Sequence, residues 1–239
     1  MTTTEIFSAA LIEAHRTGAR ADAADLPVPS HAEALEIQRR VQDSIGPVSG
    51  FKVAARPEGP PVVAPIPAGR TVASGARIEV ADQLGIELEI GFELIAPLSG
   101  DPMERPQDHF RPRIVLELVD TRLTGADDAP MKKFADMQIN AGLVVGPVLD
   151  GWDGSDFGQI PAFLRCGDVQ VIAGPVTVPG GSALSNLKLF LDHVGDHCGG
   201  LQPGQIVITG SLSGIDYFPG GTEVRGSIEG FGEVTCHLG

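Results

Sequence analysis

Aromatic residues make up only 5% of this 239-residue chain, with one Trp and one Tyr, so its core has to be packed from Val, Ile, Leu and Ala. Cysteine is equally sparse. Cys166, Cys198 and Cys236 are odd in number and far apart, which argues against a disulfide framework and a cysteine metal site and fits a reducing cytoplasm, the expected location. Positive charge is in short supply: 17 Lys and Arg stand against 31 Asp and Glu, a net charge of −14. Such a surface repels nucleic acid and anionic membranes, so neither is an expected partner, while hard cations are welcome. No window reaches the length of a transmembrane helix. The opening MTTTEIFSAALIEAHRTGAR lacks the basic start and long apolar run of a signal peptide. Also missing are G-x-S-x-G, H-E-x-x-H, a P-loop and a G-x-G-x-x-G after a strand. His15, His31, His109, His193, His197 and His237 form no recognisable ligand cluster. His193 and His197, spaced i,i+4 on an expected helix without a carboxylate signature nearby, read as surface residues.

What the chain does have is turn-formers, 31 Gly and 19 Pro, which suit many short strands better than a helical bundle. Ile6, Phe7, Ala10, Leu11 and Ala14 follow helical spacing up to Gly18. Ser30 with Glu33 forms a capping box for a second helix carrying Ala34, Leu35, Ile37 and Val41, which Gly46-Pro47 ends. From Gly50 the period becomes that of strands: FKVAA, ARIEV, GIELEIGFEL, RPRIVLELVD, NAGLVVGPVL, DVQVIAGPVTV, QIVITG, TEVRGSI and GEVTCHL. One helix interrupts them, with Leu184, Leu187, Phe190, Leu191 and Val194 as its stripe and an end near Gly199-Gly200. The predicted organisation is a helical N-terminal segment, 1–49, followed by one β domain, 50–239.

In Gly85–Phe92 the alternation sends Ile86, Leu88, Ile90 and Phe92 to one face and Glu87 and Glu89 to the other. Two carboxylates side by side are either solvated, as Glu93 on the same face suggests, or bridged by an oxygen-seeking cation such as magnesium or manganese. In IVLELVD, Glu117 stands alone among apolar neighbours. It must be paired, for instance with Arg113 or Arg122, or protonated, or metal-bound, because burying it bare costs several kcal/mol. Three glutamates on two neighbouring strands favour a metal. Lys52 sits in a short apolar strand, either as a desolvated acid/base group or, more ordinarily, as a lysine whose head reaches water.

These residues resemble the fumarylacetoacetate hydrolase superfamily, in particular its 2-oxopent-4-enoate hydratase and 4-oxalocrotonate decarboxylase branch. LQPGQIVITGSL (201–212) resembles that superfamily's "PGD-(V/I)-I-x-TG" strand and turn, and PGGTEV with IEGFG its closing hairpin. Glu87-x-Glu89 with Glu117 matches its three-carboxylate metal site. VLELVDTRL (115–123) is similar to "ALE(I/V)VDSRI", GFKV (50–53) to the segment that carries a catalytic lysine, and FADMQINAGLVVG (134–146) to "ADNASxGxxxxG". The resemblance spans nearly the whole chain in order. It implies an α+β fold, a mixed, strongly curved β-roll with flanking helices. It further implies Mg²⁺ or Mn²⁺ on Glu87, Glu89 and Glu117, Lys52 as the proton carrier, and substrate contacts from Thr209, Gly210 and Asn140. The implied activity is a metal-dependent lyase on a 2-oxo acid or its dienol, with hydration of a 2-hydroxypenta-2,4-dienoate-like compound first. Decarboxylation of a vinylogous 2-oxo acid, C–C hydrolysis of an acylpyruvate and a low-activity partner-subunit role are the alternatives. A homo-oligomer, with a related decarboxylase as a further associate, is the expected assembly. Two departures stand out: the acid of the hydratase "P-D-F-G" segment is absent from Pro61–Pro65, and Asn140 takes the place of the serine in "ADNAS".

Overall fold

Two capped helices open the chain. In the computed structural model, which describes residues 1–239, α1 (Thr3–Thr17) begins at a reciprocal box of Thr2 and Glu5 and stops at Gly18, φ +75°. Helix α2 (His31–Ile45) begins with the same device, Ser30 and Glu33. Between them lies β1 (Ala21–Asp22). After α2 come β2 (Val48–Ala54), β3 (Val62–Pro67), β4 (Thr71–Ala73), β5 (Ala76–Ile78) and the long β6 (Gln83–Leu94). A short helix α3 (Pro106–His109) leads into β7 (Phe110–Val119), then β8 (Leu123–Thr124), α4 (Pro130–Ala135) and β9 (Asn140–Val148). The hairpin β10 (Gln159–Cys166) and β11 (Val169–Thr177) precedes α5 (Ala183–Val194). Strands β12 (Ile206–Ile208), β13 (Asp216–Pro219), β14 (Glu223–Ile228) and β15 (Gly232–Leu238) complete the chain.

The larger sheet runs β3-β2-β12-β6-β7-β9-β4, with β13 also on β6; the smaller runs β11-β10-β14-β15-β5. Both are mixed: β12 lies parallel to β2, β4 to β9 and β5 to β15, and the remaining pairs are antiparallel. The large sheet curls against the small one, and the main core of 33 buried residues lies between them and α5. Contact is so close at Gly226 that a Cβ there would lie 2.8 Å from Leu88 Cδ1. This is the α+β roll with flanking helices that the resemblance implies.

A second core joins the N-terminal helices to the β body, with Phe7, Leu11, Ile37 and Val41 packed against Val62 and Phe134. Helix α5 ends earlier than its apolar stripe predicts. Gly195 takes φ +49°, ψ −127°, outside the helical region, and a separate 3₁₀ turn covers His197–Gly199. His193 and His197 therefore do not share a helix face. His197 is no surface residue either: it is half-buried, with Nε2 2.9 Å from Gln38 Oε1 on α2.

Candidate metal centre

The period of two along β6 places its charges. Ile86, Leu88, Ile90 and Phe92 enter the core between the sheets, so Glu87 and Glu89 face the other side. On β7, Leu116 and Leu118 enter the same core and Glu117 faces away from it. The strands pair in the register Glu87 with Glu117 and Glu89 with Val115. The three carboxylates thus converge, with one oxygen from each within 4.8 Å of the others. They are 7%, 2% and 0% exposed, which excludes a solvated strand face.

Lys52 arrives on the same face by the same logic. Its neighbours Phe51 and Val53 enter the main core, and β2 is linked to β6 through β12, with Lys52 opposite Ile208 and Ile208 opposite Gly91. Its Nζ donates to Glu117 Oε1 at 2.6 Å and, more weakly, to the Gln138 carbonyl at 3.4 Å. The partners that the sequence offers Glu117 are used elsewhere. Arg113 and Arg111 hold Glu93, while Arg122 holds Asp136 at 2.6 Å. Glu93 therefore sits outside the cluster, and its two arginines hold its carboxyl below the usual range although burial opposes them.

The electrostatics of the cluster are those of an incomplete site. Burial first, then Glu117 and Glu87, pushes Glu89 well above the ordinary carboxylate range, and burial with Glu117 raises Glu87 too. Burial alone would lower Lys52, but Glu117, Glu87 and Glu89 outweigh it and hold the ammonium charged. Were all three carboxylates ionised against one ammonium, two excess negative charges would sit in a low-dielectric interior, a costly arrangement. Glu117 Oε2 is buried without any hydrogen-bond partner, as is Asn140 Oδ1. A divalent cation among three carboxylate oxygens would balance the charge and satisfy the Glu117 oxygen. An all-oxygen donor set suits magnesium or manganese.

The remaining predicted residues gather around these ligands. Asn140 donates Nδ2 to Glu117 Oε1 at 2.8 Å. The Gly210 N–H donates to Glu89 Oε2 at 2.7 Å, and Thr209 Oγ1 donates to the Ile90 carbonyl at 2.9 Å. The polar hydrogens of Thr209 and Gly210 are thus engaged in holding β6 and its glutamate. Gln138 was not foreseen. Its carbonyl faces Lys52, its side-chain Oε1 is buried without a partner, and its φ is +49°. Nothing in Met-Gln-Ile signals a left-handed backbone, which glycine and asparagine ordinarily mark. On β3, Ala64 lies opposite Lys52, so no acid stands beside the amine from that strand. A cavity of about 290 Å³, which none of the three glutamates lines, is bounded by Arg20, Thr121, Asp127, Lys133, Ile139 and Tyr217 among others.

No family model matches this sequence, and no curated protein matches it. Solved structures do. The 4-oxalocrotonate decarboxylase of Pseudomonas putida G7, complexed with calcium and acetate, superposes with a TM-score of 0.78 at 16% identity, covering 100% of this chain and 98% of that one. The same enzyme complexed with magnesium and adipate gives 0.76 at 17%, over 98% and 97%. Fumarylpyruvate hydrolase from Pseudomonas aeruginosa, in complex with Mn²⁺ and pyruvate, gives 0.53 at 18%, over 76% and 79%. The chain thus has the fold of these decarboxylase and hydrolase structures, the one that its resemblance to the fumarylacetoacetate hydrolase superfamily implies.

Proposed function

We propose that this protein is a divalent-metal-dependent lyase acting on a 2-oxo acid, and that its reaction is decarboxylation of a vinylogous 2-oxo acid. The observation that carries the first part is the buried cluster of Glu87, Glu89 and Glu117 with its unpartnered oxygen. Structures of the same fold bind calcium, magnesium or manganese together with carboxylic acids. When bound, the ion supplies Lewis acidity that stabilises negative charge on the 2-oxo oxygen.

The chain's own residues suit one proton transfer. As the bond to the departing carboxylate breaks and CO₂ leaves, the electron pair spreads through the double bond towards the 2-oxo group. Lys52, held as an ammonium 2.6 Å from Glu117, donates the proton that restores a neutral carbon skeleton, and solvent re-protonates it. Water addition asks for a second group to activate water, and on the strand beside Lys52 the paired position is Ala64 rather than an acid. That favours decarboxylation over hydration, the reaction the sequence placed first. Hydration keeps support from VLELVDTRL and GFKV.

The test is turnover by the purified chain alone, supplied with Mg²⁺ or Mn²⁺. An unsaturated 2-oxo dicarboxylate should release CO₂, and 2-hydroxypenta-2,4-dienoate should remain largely unhydrated. Rapid hydration without CO₂ release would reinstate the hydratase. Activity only upon addition of a related enzyme would make the chain a partner subunit.

A further inference from the structure

Three consecutive residues, Met137, Gln138 and Ile139, adopt left-handed backbone angles with φ +52°, +49° and +57°. None is glycine, and a left-handed conformation costs each about 1–2 kcal/mol. A β-branched isoleucine there is a genuine outlier. Such strain persists only where the surroundings over-determine it. Here one side chain brackets the turn. Arg122 Nη2 donates to the Asp136 carbonyl at 2.7 Å, and its Nη1 donates to the Asn140 carbonyl at 2.6 Å. The guanidinium therefore grips the backbone immediately before and immediately after the strained turn. Its Nε binds Asp136 Oδ1 at 2.6 Å, while Thr121 Oγ1 and the Arg122 N–H bind Oδ2 at 2.9 and 2.8 Å. Asp136 is fully buried and Arg122 nearly so. The Asp120 N–H reaches the Ile139 carbonyl at 3.0 Å and closes the turn from outside.

The turn delivers two groups to the proposed centre. Its Gln138 carbonyl lies 3.4 Å from Lys52 Nζ, and the residue that ends it, Asn140, donates to Glu117 Oε1 at 2.8 Å. Both contacts converge on one carboxylate, since Lys52 also donates to Glu117 Oε1. Resting on the reading of Lys52 and Glu117 given above, we infer that Arg122 is a positioning residue: it holds the strained 137–139 turn so that the Gln138 carbonyl and the Asn140 amide fix the Lys52 amine and the Glu117 carboxylate. Lysine could not substitute, because a single ammonium cannot bracket the two carbonyls and pair with the Asp136 carboxylate at once.

The experiment compares the parent with R122K, Thr121→Val and the double variant R122K/Q138G. The first readout needs neither metal nor substrate: exchange protection of the Asn140 side-chain amide protons by NMR. The others are Mn²⁺ affinity and the split between kcat and KM. R122K should lose the Asn140 protection, bind Mn²⁺ about tenfold to a hundredfold more weakly, the usual effect of removing an outer support from a metal ligand, and lose kcat more than KM. Thr121→Val, which cuts one bond to Asp136 and keeps the charge pair, should move all three in the same direction by less. Glycine at 138 accepts the left-handed backbone, so R122K/Q138G should regain at least tenfold of the lost kcat. If R122K proves too unstable to measure, Thr121→Val alone decides. A variant with a lowered melting temperature but unchanged Asn140 protection, Mn²⁺ affinity and kcat would show that the clamp serves stability only, and would overturn the inference. A parent chain inert towards every 2-oxo acid would instead refute the proposed function, while Asn140 protection would still judge the clamp.

Discussion

Lys52 is the residue on which the choice of reaction turns, and its replacement by methionine separates binding from chemistry. Methionine preserves length and the apolar stem between Phe51 and Val53 and removes the amine. Lys52→Met is expected to retain Mg²⁺ and oxalate binding, since Glu87, Glu89 and Glu117 remain, and to lose about two to four orders of magnitude in turnover, the range of general acid–base catalysis. Near-normal turnover would reduce Lys52 to a counter-ion of Glu117. The glutamates make a paired test. Glu93 shares their face of β6, yet Arg111 and Arg113 occupy it. Glu89→Ala should fold and abolish Mn²⁺ binding, whereas Glu93→Ala should bind Mn²⁺ as the parent does; equal damage from both would disprove the assignment. At this scale the sequence was legible wherever a charge stood at a predictable phase of a strand, as Glu87, Glu89, Glu117 and Lys52 do. It was not legible at Gln138, whose importance lies in a carbonyl and a backbone angle that no side-chain pattern reveals.

Elements with clean periodicity or capping boxes, such as β6, β7, α1 and α2, lie where the sequence predicts them. Those it missed either carry residues that contradict their conformation or are too short to show a period. Strand β3 contains Pro65 and ends at Pro67, which is tolerable because it is the sheet's edge strand. Helix α4 has only six residues, too few for a 3.6-residue period to show. The turn after β12 was recognised as a motif and expected to contact substrate, but its hold on Glu89 was not readable. Gly210 has φ +110°, and a Cβ there would lie 2.9 Å from Pro179 Cγ, while its N–H holds Glu89 Oε2 at 2.7 Å. Both the angle and the crowding oppose any other residue. Gly210→Ala should shift this turn, cost about 1–3 kcal/mol of stability as overpacking does, and weaken Mn²⁺ binding roughly tenfold or more by freeing Glu89. Mn²⁺ titration alongside thermal melting checks it. Destabilisation with unaltered Mn²⁺ affinity would mean that the Gly210 N–H does not support the ligand.

Over the whole molecule, two groups of buried ionisable residues answer acid in opposite senses. His15, on α1, and His197, against α2, lie where the N-terminal helices meet the β body. Each is pushed down to about 4 from 6.5, first by burial and then by nearby arginines, with Asp196 opposing at His197. As pH falls below 6.5 the unfolded chain takes up protons that the folded chain refuses until about 4. Stability is therefore lost across that window, by at most about 3.5 kcal/mol per histidine at roughly 1.4 kcal/mol per pH unit. Glu87 and Glu89 do the reverse in the ion-free protein. Their folded values lie above the unfolded one, so the folded chain binds protons first as pH falls and gains relative to the unfolded chain. A bound divalent ion removes that gain, because it already neutralises the carboxylates, and adds about 2.7 kcal/mol at a hundredfold excess over Kd. In a chain of this size that is about 5–11 °C in Tm near neutrality. Melting curves between pH 7.5 and 4.5 should accordingly fall steeply in Mg²⁺ and gently in EDTA, converging at the acid end as protons displace the ion. His15→Gln combined with His197→Gln should flatten both curves by a similar amount and leave their separation at neutral pH intact. Parallel curves in Mg²⁺ and EDTA, at any spacing, would show that the glutamate cluster and the ion do not share a site, and the metal centre would have to be sought elsewhere in the fold.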